Sequence, residues 1–280
     1  MAKNRLVAPV VKWVGGKRQL LSEITPLLPK KYTFYCEPFL GGGALLFSLQ
    51  PKRALVNDLN SDLMAVYEVI RDDVESLINL LEQHKNTKEH FYKARDMDRD
   101  KTAYAAMSKA ERAARTIFLN KTCYNGLFRV NASGEFNTPF GHYKKPNIVN
   151  APVLRAVSSY FKNSKIELRS EDFAQTLKDV PRRGVVYLDP PYDPVSDTAS
   201  FTGYHKGGFD RNEQKRLKES CDELSGRGVK FLLSNSATAF IRELYAGYDI
   251  TIVKARRAVN SDASRRGAVE EVLIRNYGVE

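Results

Sequence analysis

The sequence predicts a doubly wound α/β fold with a seven-stranded sheet and an inserted, mainly helical segment. Seven short apolar runs have the length of strands, and several are apolar at nearly every position, as strands covered on both faces are. Helical patterns separate some of these runs, which is typical of a sheet with crossover helices. The chain of 280 residues is long enough for one large domain and a smaller insert.

The predicted strands divide the chain into two parts. They span residues 33–39, 53–57, 165–168, 185–189, 229–234, 249–255 and 269–277. The long interval after the second strand has helical spacing instead. We therefore expect residues 1–60 and 151–280 to form the main domain and residues 61–150 to form the insert.

The insert carries two helix patterns and one loop pattern. Apolar residues recur at spacings of three and four over residues 63–81 and predict one long amphipathic helix that begins near Ser61. Ser108 and Glu111 form a capping-box pattern, which predicts a second helix directly after it. Residues 124–146 are rich in Asn, Gly, Pro and aromatic residues, which indicates an ordered loop or hairpin.

The distribution of charge favours a polyanionic partner. The chain has 44 Lys+Arg and 33 Asp+Glu, a net charge of +11. Residues 85–145 contain 13 basic and 6 acidic residues, and residues 251–267 contain 5 and 1, so the excess is confined to these two segments. A solvated basic face is the alternative interpretation.

Cysteine usage and hydropathy indicate a cytoplasmic protein. Cys36, Cys123 and Cys221 are scattered, with neither the spacing of zinc ligands nor the density of a disulfide scaffold. The sequence has no signal-peptide pattern and no apolar run of about 20 residues that could span a membrane. We expect a soluble protein in a reducing compartment, without a membrane partner.

A glycine-rich turn follows the first predicted strand. It reads Glu37-Pro38-Phe39-Leu40-Gly41-Gly42-Gly43, and its glycines allow the backbone to approach a ligand closely at a helix N-terminus. Asp58 lies at the tip of the second strand, where an acidic residue commonly receives a ribose hydroxyl pair. Together they predict a site for an adenosine-containing cofactor. A structural turn and a helix-capping aspartate are the alternatives.

A second motif, Asp189-Pro190-Pro191-Tyr192, closes the fourth predicted strand at the edge where open α/β sheets bind ligands. The Asp189 carboxylate and the Pro190 carbonyl can accept hydrogen bonds from both N–H groups of a planar amine and so localise its lone pair. The prolines add no competing donors and stiffen the loop. Tyr192 offers a flat face for a base taken out of its stack. A strand-end turn with a surface tyrosine is the alternative.

Four motifs, in this order, resemble those of the Dam-type class of DNA adenine methyltransferases. They are Lys12-Trp13-Val14-Gly15-Gly16-Lys17, the glycine-rich turn, Asn57-Asp58-Leu59-Asn60 and the Asp-Pro-Pro-Tyr motif. The similarity continues in residues 124–129, 134–141 and 143–146. It implies that S-adenosylmethionine donates a methyl group to N6 of an adenine flipped out of double-stranded DNA, within GATC and without a metal. It also implies the cytoplasm of a bacterial or phage-infected cell.

The resemblance assigns roles to individual residues of the main domain. The S-adenosylmethionine site would comprise Trp13, Lys17, Glu37, Phe39, Gly41, Gly43, Asp58, Asp172, Phe173 and Asp189. Lys17 is suited to pair with the methionine carboxylate and Asp58 to hold the ribose, while Asp172 and Phe173 would border the adenine. The catalytic residues would be Asp189, Pro190 and Tyr192.

The resemblance also assigns residues to DNA. They are Lys12, Tyr124, Asn125, Leu127, Arg129, Pro139, Lys144 and Lys145. Arg129 would read a guanine, Tyr124 and Asn125 would enter the duplex near the flipped base, and the two lysines of the pair would bind phosphates. Related enzymes often carry arginine where this chain has His142.

Two features near the C-terminal end extend the expected site. Ser234-Asn235 ends another predicted strand and is expected to line the target-base pocket. Arg256, Arg257, Arg265 and Arg266 flank a polar loop and are expected to clamp the phosphate backbone. A mobile surface loop is the alternative for these arginines.

Other activities remain compatible with parts of the pattern. A methyltransferase for N4 of cytosine, an RNA adenine or a glutamine amide also fits the Asp-Pro-Pro-Tyr motif, but the insert favours duplex DNA. A catalytically silent DNA-binding protein on the same scaffold would be expected to have lost the motif, which is intact. The motifs indicate no particular protein partner.

Overall fold

A computed structural model of the chain describes residues 3–13, 15–195, 208–256 and 268–278. Within these ranges, seven strands form one sheet. They are β1 (Tyr35–Glu37), β2 (Arg53–Asn57), β3 (Lys165–Arg169), β4 (Val185–Leu188), β5 (Lys230–Ser236), β6 (Asp249–Arg256) and β7 (Ala268–Arg275). The strand order is β3-β2-β1-β4-β5-β7-β6.

The sheet is parallel except at one end. The pairs β1–β2, β1–β4, β2–β3 and β4–β5 are parallel, whereas β7 runs antiparallel between β5 and β6. Each predicted strand is confirmed, β2 with its predicted bounds and the others with ends that differ from the prediction by at most two residues. The carboxyl ends of β1, β2 and β4 therefore lie together at one edge of the sheet, as the motifs require.

Helices connect the strands, and several of them lie between β2 and β3. The α-helices are α1 (Leu21–Leu27), α2 (Ala44–Leu49), α3 (Ser61–Asp72), α4 (Val74–Glu82), α5 (Lys88–Asp96), α6 (Lys101–Ala106), α7 (Lys109–Thr122), α8 (Ala151–Lys162), α9 (Phe173–Lys178), α10 (Arg211–Gly226) and α11 (Ala239–Leu244). Short 3₁₀ turns span Lys17–Leu20, Met97–Arg99 and Tyr124–Gly126. No helix among the described residues is long and apolar enough to cross a membrane.

The prediction of one long helix from Ser61 is wrong. The helix ends at Asp72, and Asp73 has φ −147°, outside the helical region. The Asp73 carboxylate accepts a hydrogen bond from the Ser76 N–H, so it caps a new helix, α4. The predicted capping box is confirmed, because Ser108 and Glu111 each bond the other's backbone N–H at the start of α7.

Two apolar layers cover the two faces of the sheet. On β4, Val185 and Tyr187 face one core, which also contains apolar residues of α1, α2, α3, α4, α7 and α8. Val186 and Leu188 face the other core, which is formed with α9, α10 and α11. Side chains alternate between the two faces of a strand, so a strand covered on both sides must be apolar throughout. This arrangement is the doubly wound fold that the sequence predicts.

A third apolar cluster lies within residues 91–140. It is formed by Phe91, Ala94, Phe118, Leu119, Cys123, Phe128, Phe136 and Phe140. Helix α7 belongs to two clusters, because Ala113 and Ile117 pack in the first core while Phe118 and Leu119 pack in the third cluster. The helix therefore connects the third cluster to the core on the sheet.

The predicted loop of residues 124–146 is ordered by backbone contacts and by an ion pair. Isolated bridges join Cys123 to Phe140 and Val130 to Phe136. The Asp98 carboxylate accepts a hydrogen bond from the Phe136 N–H at 2.8 Å and pairs with Arg115 at 2.8 Å. Both charged side chains are less than 10% exposed. The Asp98–Arg115 pair thus fastens the hairpin to helix α7.

The expected phosphate clamp near the C-terminus falls at the limit of the described structure. Arg257, Arg265 and Arg266 lie outside the described residues, and of Arg256 only the backbone, at the end of β6, is described. The clamp stays a prediction.

The Asp98–Arg115 pair generates a stability prediction. Asp98→Ala leaves the buried Arg115 guanidinium without its carboxylate and the Phe136 N–H without its acceptor. We expect the free energy of unfolding in urea to fall by about 3 kcal/mol. Glu75→Ala is the matched control, since it breaks a pair with Arg155 in which both side chains are more than half exposed and screened by solvent, so its loss should be much smaller. Equal losses in the two variants would contradict the anchoring role of Asp98.

Candidate active site

A cavity of about 680 Å³ lies at the carboxyl edge of the sheet. Its volume lies within the range of roughly 300–1,000 Å³ that is usual for sites of small ligands. Its wall includes the segment from Lys12 to Trp13, the segment from Gly15 to Leu20, the turn after β1, the ends of β2 and β4, and residues 125–127. The structure thus brings together the motifs that the sequence places far apart.

The turn after β1 is fixed by its neighbours. Gly41 has φ +49°, and a Cβ atom at this position would lie 2.8 Å from Cδ1 of Trp13. The Gly41 N–H donates to the Asp58 carboxylate at 2.9 Å, and Asp58 also accepts from the Asn60 N–H at 2.9 Å. The cap of α3 is Asn60, which accepts from the Leu63 N–H. Asp58 therefore stabilises the glycine turn, and the helix-cap alternative for it is not supported.

Lys17 and Asp189 form an ion pair on the cavity wall. Their Nζ and Oδ1 atoms are 2.8 Å apart, with side chains 7% and 19% exposed. Lys17 also donates to the Gly15 carbonyl at 2.6 Å, and its ammonium lies 4.5 Å from the centre of the Tyr192 ring. Burial raises the pKa of the Asp189 carboxyl, while Lys17 and a hydrogen bond from Ser234 oppose that shift. The pair therefore favours the ionised carboxylate, which accepts hydrogen bonds.

Ser234 and Asn235 position the motif after β4. The Ser234 hydroxyl donates to Asp189 Oδ1 at 3.0 Å. The Asn235 Oδ1 atom accepts from the Asp193 N–H at 3.0 Å, and both Ser234 and Asn235 are fully buried. The sequence predicts that the two residues line the pocket. In the structure they are not on the cavity wall and instead bond to Asp189 and to the backbone of Asp193, which are.

A second amide completes this support. The Gln214 side chain donates to the Pro191 carbonyl at 2.8 Å and accepts from Asn235 Nδ2 at 3.1 Å. The Asp193 carboxylate accepts from Thr238 at 2.7 Å and pairs with Arg211 at 3.1 Å. The backbone that follows Pro190 is thus held from α10, β5 and α11. A loop fixed in this way keeps its acceptor groups oriented without reorganisation.

Tyr192 is held by its hydroxyl. It donates to the Glu271 carboxylate of β7 at 2.7 Å. The ring faces the cavity, with the Lys17 ammonium on one side. The bond to β7 leaves the ring little freedom to turn, so the flat surface that the sequence predicts for a base is fixed in orientation.

Aromatic rings form another part of the cavity wall. Phe39 packs against Phe173 with ring centres 5.3 Å apart and against Phe209 at 5.8 Å. The Arg216 guanidinium lies 4.2 Å from the centre of the Phe173 ring and bonds both carboxylate oxygens of Asp172, at 2.8 and 2.7 Å. Arg216 holds the pKa of Asp172 below its usual range. This part of the cavity suits a flat, apolar ring.

Glu37 is a buried carboxyl group on the cavity wall, only 3% exposed. It accepts a hydrogen bond from the Tyr35 hydroxyl at 2.7 Å. Burial raises the pKa of Glu37 to about 8, although the Tyr35 bond opposes the shift. The side chain is therefore mostly protonated at neutral pH and can donate a hydrogen bond.

Most of the residues predicted to contact DNA are exposed. Tyr124, Asn125, Arg129, Pro139 and the lysine pair are exposed, as is Lys12, whereas Leu127 is partly buried and lines the cavity with Asn125. The Nε atom of Arg129 donates to Asn137 at 2.8 Å. His142 has φ +53° and packs its ring against Phe140.

Sequence reasoning missed Gln214, Asp193, Phe209 and Glu271. Gln214 had a signal, because it precedes Leu217, Cys221 and Leu224 on the buried face of α10, where a polar side chain needs a partner. Glu271 had none, since its partner is 79 positions away. Among the described residues, no group of three or more His, Cys, Asp or Glu side chains is placed to hold a metal ion.

A doubly wound sheet with a cavity at its carboxyl edge is the arrangement in which α/β enzymes bind nucleotide-type ligands. Comparison with known proteins makes the class specific. The profile of the D12 class N6 adenine-specific DNA methyltransferases matches residues 13–259. The chain belongs to this family.

Individual relatives match over their full lengths. The chain is 41% identical to a type II methyltransferase of Lactococcus lactis subsp. cremoris, with 99% of both chains covered. It is 42% identical to a type II methyltransferase of Methanocaldococcus jannaschii, covering 97% of this chain and 99% of that one. It is 34% identical to the DNA adenine methylase of Escherichia coli (strain K12), covering 98% and 95%.

Glu37 generates a prediction about pH dependence. Its pKa is about 8 in the folded protein and ordinarily 4.5, so the folded state binds the extra proton. Its contribution to stability is complete below pH 4.5 and is lost as the pH rises through about 8. Between these values, Glu37→Gln should gain stability relative to the wild type by about 1 kcal/mol per pH unit, as measured by urea unfolding at several pH values.

The control for this experiment is Glu23→Gln, which removes an exposed carboxyl group on α1. Its stability should follow the wild type across the same range of pH. If the stability of Glu37→Gln runs parallel to that of the wild type, Glu37 is ionised in the folded protein and the assignment is wrong.

Proposed function

We propose that this enzyme transfers a methyl group from S-adenosylmethionine to N6 of an adenine flipped out of duplex DNA, within GATC. Membership of the adenine-specific family gives the reaction. The observation that carries the proposal for this site is the Asp189 carboxylate, which Lys17 and Ser234 hold on the wall of a cavity that also reaches the insert. One cavity thereby serves the methyl donor and the base.

The residues present fit S-adenosylmethionine. The aromatic wall of Phe39 and Phe173 suits the adenine ring, next to Asp172. Asp58 lies on the cavity wall, and a carboxylate has about four lone-pair sites, which suits it to accept hydrogen bonds from ribose hydroxyls. Lys17 has three N–H donors, of which Asp189 and Gly15 take two, and the third can serve the methionine carboxylate. Glu37, Gly41, Gly43 and Trp13 complete this wall.

The chemistry requires a lone pair on an amine that is conjugated with the adenine ring. Bound S-adenosylmethionine supplies an electrophilic methyl group. Asp189 and the Pro190 carbonyl accept hydrogen bonds from the two N–H groups of the adenine amine and draw N6 toward a tetrahedral geometry. Tyr192 stacks on the base, with its ring held by Glu271. The support from Gln214 and Asn235 keeps both acceptors in place before the base arrives.

Residues 61–150 form the inserted target-recognition domain in this proposal. The exposed positions of Tyr124 and Asn125 favour entry into the duplex beside the flipped adenine. Leu127 and Pro139 contact neighbouring bases, and Lys144 and Lys145 contact phosphates. The basic charge of this segment supports a polyanionic partner.

The experiment that tests the proposal follows tritium from labelled S-adenosylmethionine into a duplex that contains one GATC. Asp189→Ala should lower the rate by about 100-fold or more, because it removes an oriented acceptor, while most of the affinity for DNA remains in phosphate contacts elsewhere. Asp72→Ala, which removes an exposed carboxylate, is the matched control and should keep the wild-type rate. A near wild-type rate in Asp189→Ala would refute the mechanism.

Arg129 generates a prediction about sequence. Its Nε atom is occupied by Asn137, which leaves the two terminal nitrogens for a bidentate contact with guanine. Arg129→Ala should lose about 1–3 kcal/mol of discrimination at one guanine position and little elsewhere, as measured by methylation rates on GATC and its single-base variants.

The control pair for Arg129 is Lys144→Ala with Lys145→Ala. Both lysines are exposed, and loss of phosphate contacts should weaken binding to every sequence alike and flatten the dependence on salt. If Arg129→Ala instead slows methylation of all sequences equally, Arg129 is an electrostatic contact and not a reader of guanine.

A further inference from the structure

Asn120 is a buried amide on helix α7 that bonds to a distant part of the chain. It is 1% exposed. Its Oδ1 atom accepts from the Lys12 N–H at 2.8 Å, and its Nδ2 atom donates to the Lys12 carbonyl at 2.7 Å. Nδ2 also donates to the Gly126 carbonyl at 3.1 Å. One side chain therefore bonds both the N–H and the carbonyl of Lys12 and joins them to the start of the loop of residues 124–146.

This contact places the Lys12 side chain on the insert. Gly126 has φ +66°, and a Cβ atom there would lie 2.6 Å from Cδ of Lys12, so the lysine stem crosses directly over the glycine. The Lys12 ammonium lies 5.3 Å from the centre of the Tyr143 ring. Lys12 precedes the cofactor residues in sequence, yet its side chain lies with the residues proposed to contact DNA.

The next residue, Trp13, faces both sites. Its ring stacks on Phe128 of the insert, with ring centres 5.0 Å apart and planes 26° apart. The Trp13 ring also packs against the glycine turn, where it leaves no room for a Cβ atom at Gly41. Since Lys12 and Trp13 are consecutive, a change in the path of the backbone at Lys12 would move both.

We propose that Asn120 is a positioning residue for base recognition, which fixes the backbone of Lys12 so that its ammonium is presented to one base of the target. Asn120 itself touches neither DNA nor cofactor in this proposal. Its effect is indirect, because a long, flexible lysine side chain can discriminate between bases only if the backbone that carries it is fixed. The inference rests on the proposed function, in which Lys12 contacts DNA.

The test is a double-mutant cycle on sequence selectivity. Methylation rates on GATC and each single-base variant are measured for the wild type, Asn120→Ala, Lys12→Ala and the double variant. Each single change should reduce selectivity at the same base position by about tenfold. The double variant should lose no more than either single variant, because Lys12 has nothing further to contribute once it is unpositioned.

Thr116→Val is the matched control. Thr116 is 2% exposed on the same helix, and within the described part of the chain its hydroxyl bonds only to the Arg112 carbonyl one turn earlier. The change therefore removes a buried hydrogen bond without reaching Lys12. Its selectivity should equal that of the wild type. Calorimetry reports whether each variant is folded, and Asn120→Asp, which keeps the side-chain shape but loses both donated bonds, replaces Asn120→Ala if the latter does not fold.

Two outcomes would overturn the inference. One is an equal loss of rate on every sequence in the Asn120 variant, which indicates a structural role alone. The other is additive losses in the double variant, which show that the two residues act separately. Failure of the proposed function is distinguishable, because the wild type would then transfer no methyl group to adenine in any duplex.

Discussion

Lys17 and Asp189 form an ion pair at the carboxyl edge of the sheet, where both charges are largely shielded from solvent. The surrounding residues compensate for the hydration that the two ions lose. A buried ion pair contributes little net stability unless further hydrogen bonds satisfy both ions. Here the Gly15 carbonyl, the Ser234 hydroxyl and the Tyr192 ring provide those contacts. The pair joins the first motif of the chain to the fourth. The cavity wall is built around it.

The loop after β4 shows how this geometry is maintained. Its backbone bonds to Gln214 and Asn235, and its Asp193 carboxylate bonds to Thr238. These partners come from α10, from the N-cap of α11 and from the strand β5, and both helices pack on the same face of the sheet. The acceptors for an amine are therefore held by the hydrophobic core itself. Rigidity at the site is a property of the fold, because moving the loop would require moving core elements.

The sequence predicts those features that are encoded locally. All seven strands and the capping box at Ser108 were identified, because periodicity and cap residues lie within a few positions of each other. The break at Asp73 was not, since Ile70 and Val74 keep helical spacing across it and only the side chain of Asp73 marks the new start. Gln214 and Asn120 bond to backbone atoms 23 and 108 positions away. Such partners are defined only when the fold brings the segments together.

The two ends of the loop of residues 124–146 are joined by backbone hydrogen bonds, which has a consequence for how its sequence can change. The Tyr124 N–H bonds to the Pro139 carbonyl and the Gly141 N–H to the Thr122 carbonyl, each at 2.8 Å, so both ends of the loop leave side by side from the end of α7. When the ends of a loop are already joined, a doubling of its length costs only about 0.6 kcal/mol of closure entropy. Residues between these two bonds can therefore vary in length at little cost in stability, and under the proposed function such variation changes the contacts with DNA while Lys17 and Asp189 keep their geometry.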